Sequence, residues 1–297
     1  MMAESIQDYL RELKQALSGA DPAVVQDAMA DAEEHLTMAL EHAREGAPGL
    51  SEPDALSRII EEYGTPAEVA AAYKDNEARF VPPLSPAAHS HPRSAAARFF
   101  GVVVDPRAYA CLFYMFFSLI TGIIYFTVAT TGLSLSAGLI FLIIGLPFFA
   151  LFLLSAQGIA LVEGRIVEAL LGIRMPRRPL FAKKGQGIWA RFKTLFKDKL
   201  SWTTILYMLL QLPFGILYFT VFVSLICMGL ALMAVPVLQS GFGFPIVTTE
   251  DMEYFLPESL FPLVVIAGVL WLLLTMHLAK LVGRLHGAYA KSLLVRE

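Results

Sequence analysis

The chain has 297 residues, a formal net charge of −3, 56% hydrophobic residues and only 16% charged residues. Soluble domains contain about 45–50% apolar and about 25% charged residues, so this composition excludes a wholly soluble globular protein. Two cysteines are too few for a disulfide framework or a Cys-x-x-Cys zinc site. Residues 1–80 contain 6 Lys and Arg against 17 Asp and Glu, whereas 108–162, 202–249 and 259–279 contain no charged residue. A multi-pass membrane protein with an acidic soluble N-terminal region is therefore predicted.

The acidic region, residues 1–80, has the pattern of four amphipathic helices. Apolar residues recur at i, i+3, i+4 and i+7 from Ile6 to Leu17, which gives the first helix one apolar face. The next three helices begin at Asp21-Pro22, at Ser51 and at Thr65-Pro66, which are all N-cap signals. No residue in this region forms a catalytic or metal-binding pattern. Because the first long apolar run begins near residue 99, we expect this domain to stay in the cytosol.

Two motifs in this region carry a family resemblance. The patterns Ile6-x-x-Tyr9-Leu10-x-x-Leu13 and Glu62-Tyr63-Gly64-Thr65-Pro66-x-x-Val69-Ala70-x-x-Tyr73 resemble the HAAS domain over about residues 5–78. HAAS is a small all-helical signalling module of bacterial membrane proteins that often accompanies a PadR-type transcription regulator. The resemblance implies that a cytosolic regulatory protein docks on residues 1–80. We expect no direct nucleic-acid binding by this chain.

A linker at 81–96, rich in Pro, Ser and Ala, separates this domain from an apparent duplication. Aligning residue n with n+93 pairs 122–128 with 215–221, and the register resumes at n+119. The membrane domain, 97–297, would then contain two units, 97–178 and 186–297, each with two crossings. We expect an all-α fold in which a small cytosolic helical domain precedes a four-span bundle of two parallel repeats with interfacial amphipathic helices.

The distribution of basic residues predicts the orientation of the bundle. Residues 163–201 contain ten Lys and Arg against three Asp and Glu, whereas 239–256 contain no Lys or Arg. The positive-inside rule therefore predicts that 163–201 lies in the cytoplasm and 239–256 on the outer side. With four spans, we expect an inner-membrane protein whose two termini are both cytoplasmic. The apolar run 203–238 exceeds one crossing, and we expect the span to end near Leu225, with 226–238 as a shorter apolar piece at the outer surface.

A basic amphipathic stretch at 187–202 precedes the third span. Four of its cations are candidate contacts to anionic lipid headgroups: Arg191, Lys193, Lys197 and Lys199. The alternative is a plain basic loop that only sets topology. Opposite charges also predict that the acidic domain docks on the basic segment 163–201, the alternative being a tethered, independent domain.

Few polar side chains occur inside the apolar stretches. Gln157, Gln211 and His277 are the candidate intramembrane polar site, because polar residues at this depth often serve function. The alternatives are helix–helix hydrogen bonding for Gln211 and a membrane-interface position for His277, near Lys280.

The membrane region carries a second resemblance. Tyr114, Gly122 and Tyr125-Phe126, with Gly145-Leu146-Pro147 and Leu256-Pro257-Glu258-Ser259, resemble the bacterial "putative sensor" domain over about residues 97–295. The first part of this pattern recurs at Tyr207, Gly215 and Tyr218-Phe219. That domain commonly precedes histidine kinases in signalling proteins, and the resemblance supplies neither a ligand nor catalytic residues.

Phosphate-loop, GxSxG and HExxH motifs do not occur in the sequence. We therefore expect no catalytic residue, no metal and no cofactor, and a non-enzymatic signalling protein that couples a membrane or lipid-soluble signal to a cytosolic partner. The alternatives are a membrane enzyme acting on lipid, which lacks the expected polar cluster, and a small transporter or channel, which lacks charges in its apolar stretches. The sequence leaves a homo-oligomer open.

Overall fold

A computed structural model describes residues 5–46, 51–79, 84, 94–139, 145–177, 196–249 and 252–295. Most of the predicted linker 81–96 lies outside the described residues, as do Arg191 and Lys193 of the predicted amphipathic stretch. Apart from one short hairpin, the secondary structure of the described residues is helical.

The N-terminal region contains the four predicted helices: α1 (Ile6–Ala16), α2 (Pro22–Gly46), α3 (Glu52–Tyr63) and α4 (Pro66–Arg79). Side-chain oxygens of Ser5 and Ser51 accept backbone N–H groups at the starts of α1 and α3, as their sequence signals predict. The apolar faces of the four helices enclose one core. Its fully buried members include Tyr9, Leu13, Leu17, Leu36 and Leu56. These four helices are called the module below.

The join between α3 and α4 is fixed by Gly64. This residue has φ of 107°, a conformation that residues with a β-carbon rarely adopt. The Tyr9 hydroxyl donates a hydrogen bond to the Gly64 carbonyl at 2.9 Å, and burial raises the pKa of Tyr9 above its ordinary value. Beside it, the Thr65 N–H donates to the Glu68 carboxylate at 2.8 Å, which forms half of a capping box. The turn is therefore held from both sides.

The remaining helices are α5 (Ala95–Phe100), α6 (Pro106–Leu139), α7 (Gly145–Leu171), α8 (Lys199–Phe242) and α9 (Phe261–Leu294). Two 3₁₀ turns, Gly101–Val104 and Glu258–Leu260, precede α6 and α9. Between α8 and α9, strands β1 (Val247–Thr248) and β2 (Glu253–Tyr254) pair antiparallel. Among the described residues, four segments are long and apolar enough to cross a membrane: α6, α7, α8, and α9 with its preceding turn. The predicted four-span all-α architecture is confirmed.

One prediction for the third span is wrong. Helix α8 runs without interruption for 44 residues, through Pro213 and Pro236, so 226–238 continue the helix past Leu225. A proline removes one helical hydrogen bond. In apolar surroundings, ending the helix there would leave several backbone N–H and C=O groups without hydrogen bonds, which costs more. At about 1.5 Å per residue the helix is about 66 Å long, roughly twice the thickness of a bilayer core.

The described chain forms two compact units. The first contains Met1–Ser85, Thr127–Leu209 and Gly287–Glu297, and the second contains Pro86–Phe126 and Leu210–His286. The module therefore shares a unit with α7, with the residues that follow α7, and with the C-terminal end of α9.

In the second unit, α6 and α8 cross at two glycines. A β-carbon on Gly122 would lie 2.8 Å from the Gln211 carbonyl oxygen, and one on Gly215 would lie 2.6 Å from that of Ser118. In the predicted duplication, Gly122 is equivalent to Gly215 and Ser118 is equivalent to Gln211, since each pair differs by 93 positions. Gly122 thus contacts Gln211, and the equivalent Gly215 contacts the equivalent Ser118. Two duplicated helices related by a two-fold axis would pack in this reciprocal way. The duplication itself stays a prediction.

Candidate module interface and buried polar sites

In the first unit, a short irregular segment follows α7. The helix ends at Leu171, and Gly172 takes φ of 69°, the left-handed conformation that commonly ends a helix. Its N–H donates to the Glu168 carbonyl at 3.2 Å. Residues 172–177 are then neither helix nor strand, and they are called the connecting segment below.

One set of side chains in the connecting segment packs against the membrane helices. Ile173 contacts Gly287 of α9 so closely that a β-carbon on that glycine would overlap the Ile173 side chain. Met175 is fully buried, and its β-carbon lies 3.4 Å from the position of a β-carbon on Gly164 of α7. The Gly287 contact requires a glycine, since a β-carbon there would displace Ile173, whereas a β-carbon on Gly164 would meet Met175 at an ordinary contact distance.

The intervening residue, Arg174, faces the module. Its Nη2 lies 3.0 Å from Asp27 Oδ2, and its Nε lies 3.2 Å from each carboxylate oxygen of Glu77. The backbone N–H of Arg177 donates to Asp27 Oδ1 at 2.6 Å. One segment therefore contacts the membrane helices through Ile173 and Met175 and the module through Arg174.

The same arginines surround a carboxylate of α7. Glu168 is 7% exposed, and its oxygens lie 2.9 Å from Arg177 Nη2, 3.2 Å from Arg165 Nη1 and 3.5 Å from Arg174 Nη1. A buried carboxylate needs such partners, because an unpaired buried charge is strongly destabilising. Glu168 therefore helps to hold the guanidinium of Arg174 in the position where Asp27 binds it.

The end of α9 makes another contact with the module. Lys291 Nζ lies 2.5 Å from Asp21 Oδ2, while Asp21 Oδ1 accepts the N–H of Ala23 and caps α2. Three module carboxylates, Asp21, Asp27 and Glu77, thus face Lys291, Arg174 and the Arg177 N–H. These three carboxylates are called the acidic face below.

The first unit also contains a buried carboxylate that the sequence suggested would lie in a cytoplasmic loop. Helix α7 continues beyond Val162, and Glu163 is fully buried within it. The Tyr207 hydroxyl donates to Glu163 Oε1 at 2.8 Å, and the Tyr207 ring stacks on Tyr289 at 5.5 Å. The boundary of the charge-free stretch at residue 162 therefore does not mark the end of the helix.

The second unit contains a buried polar cluster around His286, which is 2% exposed. Its Nε2 lies 2.7 Å from the Tyr114 hydroxyl and its Nδ1 lies 3.1 Å from the Tyr218 hydroxyl. Gln211 Nε2 lies 3.4 Å from the Tyr114 hydroxyl and 3.5 Å from that of Thr121. A neutral imidazole has one donor and one acceptor, so the two tyrosines bind it in opposite senses. This chain of hydrogen bonds joins α6, α8 and α9.

The structure separates the predicted polar candidates. Gln211 is fully buried in the His286 cluster, and among the described residues its Oε1 has no hydrogen-bond partner. His277 stacks on Phe99 at 5.2 Å, and its Nε2 lies 3.1 Å from the Phe99 carbonyl oxygen. Gln157 is half-buried on α7. Lys197 and Lys199 are exposed, whereas the other two predicted headgroup contacts lie outside the described residues.

An ion pair at the start of α6 belongs to the second unit. Lys280 Nζ lies 2.5 Å from Asp105 Oδ2, and the Arg107 N–H donates to Asp105 Oδ1 at 3.0 Å. Partial burial alone raises the pKa of Asp105, but the hydrogen bond from Lys280 and the one from Arg107 outweigh it and hold the pKa below its ordinary value. The carboxylate is therefore charged at neutral pH.

Apart from Gln211, sequence reasoning missed the residues that make these sites. Tyr114 and Tyr207 are equivalent in the predicted duplication. The Tyr114 hydroxyl is hydrogen-bonded to His286 of α9, and the Tyr207 hydroxyl donates to Glu163 of α7. Their repetition was a usable signal, because a buried tyrosine hydroxyl needs a partner. Within the described residues, no group of three or more His, Cys, Asp or Glu side chains is placed to hold a metal ion.

The four apolar helices define a multi-pass membrane protein, and its N-terminal helices form a module of their own. A family model described as "Putative sensor" matches residues 82–294, and a model of the HAAS domain matches residues 8–72. The chain belongs to this Sensor family and carries an N-terminal HAAS domain, which makes it a membrane sensor or signalling protein. Curated proteins and solved structures gave no significant match.

Proposed function

We propose that this sensor transmits a rearrangement of its membrane helices to the acidic face of the HAAS module, and thereby controls a cytosolic regulatory protein. A PadR-type transcription regulator is the partner that the HAAS domain suggests. The observation that carries the proposal is the connecting segment: Ile173 and Met175 contact α9 and α7, whereas Arg174 contacts the module.

Transmission depends on the two residues that flank Arg174. Ile173 packs on Gly287 of α9 and Met175 packs on Gly164 of α7, so a shift of either helix displaces one neighbour of Arg174. Helix shifts in signalling proteins are about 1–2 Å. The Arg174 to Asp27 distance is 3.0 Å, and a hydrogen bond weakens sharply beyond about 3.5 Å, so a shift of this size breaks the contact.

The topology we propose has both termini in the cytoplasm and the protein in the inner membrane. The contact of Lys291 with Asp21 supports placing the end of α9 on the same side of the membrane as the module. Arg174 follows the C-terminal end of α7 and meets the same module, which supports two returns of the chain to that side. The basic residues of 163–201 favour the cytoplasm for that side.

For the input, we propose a change in the membrane itself or a lipid-soluble molecule, with anionic headgroups bound near the start of α8. Trp202 Nε1 donates to the Phe196 carbonyl at 2.9 Å, and both rings are more than 40% exposed beside the exposed Lys197 and Lys199. Aromatic rings with adjacent cations are typical of the membrane interface. The exposure of these lysines supports binding of anionic lipid, which would link lipid composition to the position of α8.

The test uses the full chain in nanodiscs of phosphatidylcholine and phosphatidylglycerol. Gly287→Val places a branched side chain where Ile173 lies, and we expect faster amide hydrogen exchange in α2 around Asp27 as the module is released. Gly158→Val is the matched control, because a β-carbon on Gly158 meets nothing within 4 Å. Both variants replace a helical glycine with valine, so the difference between them reports the contact. Unchanged exchange in Gly287→Val would contradict the proposed transmission.

A further inference from the structure

The acidic face binds the connecting segment in the way that a protein surface binds a peptide. Asp27 accepts a backbone N–H from Arg177 at 2.6 Å and a guanidinium N–H from Arg174 at 3.0 Å. Glu77 accepts the Nε–H of Arg174 with both oxygens at 3.2 Å. Asp27 thus recognises both the main chain and the Arg174 side chain of the segment, and Glu77 recognises the Arg174 side chain alone.

We infer that the acidic face is the partner-binding surface of the module, and that its partner is a cytosolic protein presenting an irregular, arginine-bearing segment. The connecting segment then occupies this surface as an intramolecular competitor. This inference rests on the proposed function, since the competitor leaves only when the membrane helices withdraw it. It adds three points to that function: the surface that binds the partner, the chemistry of the partner segment, and the mutual exclusion of the partner and the connecting segment.

Hydrogen bonds within the module hold the helices that carry the acidic face. Tyr73 donates its hydroxyl to Asp31 Oδ2 at 2.8 Å, which links α4 to α2. Asp31 and Tyr73 stand one helical turn from Asp27 and Glu77 respectively, so this hydrogen bond fixes the spacing of the two carboxylates. Lys74 also donates to the Ala16 carbonyl at 2.7 Å and ties α4 to α1. A preorganised pair of carboxylates binds without paying for side-chain ordering.

The geometry favours arginine over lysine in the ligand. Nε and Nη2 of Arg174 reach two different carboxylates at once, whereas a lysine presents its donors from a single atom. Asp27 is only 5% exposed, so a bound ligand must supply charge-assisted hydrogen bonds to a desolvated carboxylate. A general attraction to basic surfaces would not require this arrangement.

Competition follows from the covalent connection. A tethered segment has an effective concentration of about 1 mM at its site, so a partner of equal contacts is excluded while the connecting segment is docked. Once the segment withdraws, the same partner binds a module whose fold has not changed. The module therefore switches its availability rather than its shape.

The experiment measures binding of a labelled, end-blocked peptide with the sequence Leu-Gly-Ile-Arg-Met-Pro-Arg, which is residues 171–177, to the full chain in nanodiscs. We expect saturable binding to the Arg174→Ala chain, at least tenfold tighter than to the natural chain. Binding should weaken at least tenfold with Lys in place of the first peptide Arg. Added to Arg174→Ala, Glu77→Gln should weaken binding, whereas Glu41→Gln, an exposed acidic residue elsewhere on α2, should not.

Three results would overturn the inference, and they are distinguishable. If Arg174→Ala speeds hydrogen exchange in α2 but the peptide does not bind up to about 1 mM, the module is released and the inference alone fails. If exchange in α2 stays slow in Arg174→Ala, the docking contact itself is wrong and the proposed function fails with it. Equal weakening by Glu77→Gln and Glu41→Gln would show bulk charge attraction instead of a site.

Discussion

Arg174→Ala should release the module, because Arg174 contacts two of its three interface carboxylates, Asp27 and Glu77. The variant removes a guanidinium that lies 3.0 Å from Asp27 and 3.2 Å from Glu77. Asp27 keeps the Arg177 N–H, and Glu168 keeps Arg177 and Arg165, so neither buried carboxylate loses every donor.

The magnitude follows from how buried each partner is. A hydrogen bond between charged groups contributes about 1.5–3 kcal/mol, and the Arg174–Asp27 pair is 11% and 7% exposed. Glu77 is 29% exposed, so its pairing adds only about 0–1 kcal/mol after solvent screening. The expected loss of about 2–4 kcal/mol lowers the docking equilibrium constant by about 30- to 1000-fold.

Hydrogen exchange measured by mass spectrometry on the full chain in nanodiscs checks this estimate, with peptides from α2 and α4 as readouts. Arg11→Ala serves as the control, since Arg11 pairs with Asp8 at 2.8 Å on an exposed surface of the module. That variant should leave exchange in α2 and α4 unchanged. Equal exchange rates in Arg174→Ala and Arg11→Ala would refute the reasoning from burial and charge.

Two further predictions concern stability. Gly215→Val should destabilise the helix crossing by about 1–3 kcal/mol through overpacking, because its β-carbon meets the Ser118 carbonyl oxygen at 2.6 Å. Gly138→Val is the control, since a β-carbon there meets nothing within 4 Å. In a thermal scan followed by circular dichroism, Gly138→Val should unfold at a higher temperature than Gly215→Val. Hydrogen bonds from the Thr65 N–H and hydroxyl hold the pKa of Glu68 below its ordinary value. Its contribution to stability is therefore present above that ordinary value and is lost as pH falls through the lowered pKa. Glu68→Gln should remove this part of the acid dependence of unfolding; an unchanged pH profile would contradict it.

Local signals explain why the module and the spans could be predicted. Ser5 and Ser51 cap helices at the positions where the sequence places caps, and Gly64 takes the positive φ that its position predicts. Each signal acts within a few residues, so it does not depend on the tertiary fold. The charge-free stretches predicted the membrane helices because hydrocarbon excludes charge over a whole span.

Contacts between distant residues could not be predicted in the same way. Tyr114 and His286 are 172 positions apart, and no spacing rule brings them together. The continuity of α8 through Pro213 depends on the helix having no better alternative for its backbone in apolar surroundings. The expectation that the span ends near Leu225 did not take this constraint on the backbone into account.

Charge predicted that the module would face the basic segment 163–201, but it did not identify the residues. The prediction covered the whole basic segment, and in the structure it is Arg174 and the Arg177 N–H that contact Asp27. Net charge gives attraction over a Debye length, which is about 10 Å, and does not choose among basic residues within that range. The choice comes from Ile173 and Met175, whose packing on glycines fixes the connecting segment.

Docking of the module on the membrane helices is the central claim, and zero-length carbodiimide crosslinking of the natural chain in nanodiscs tests it most directly. Lys291 Nζ lies 2.5 Å from the Asp21 carboxylate across the interface, and Lys280 Nζ lies 2.5 Å from Asp105 in the second unit. Both pairs should form an amide bond, identified by mass spectrometry as joined peptides. Formation of the Lys280–Asp105 crosslink without the Lys291–Asp21 crosslink would show that the module is not docked.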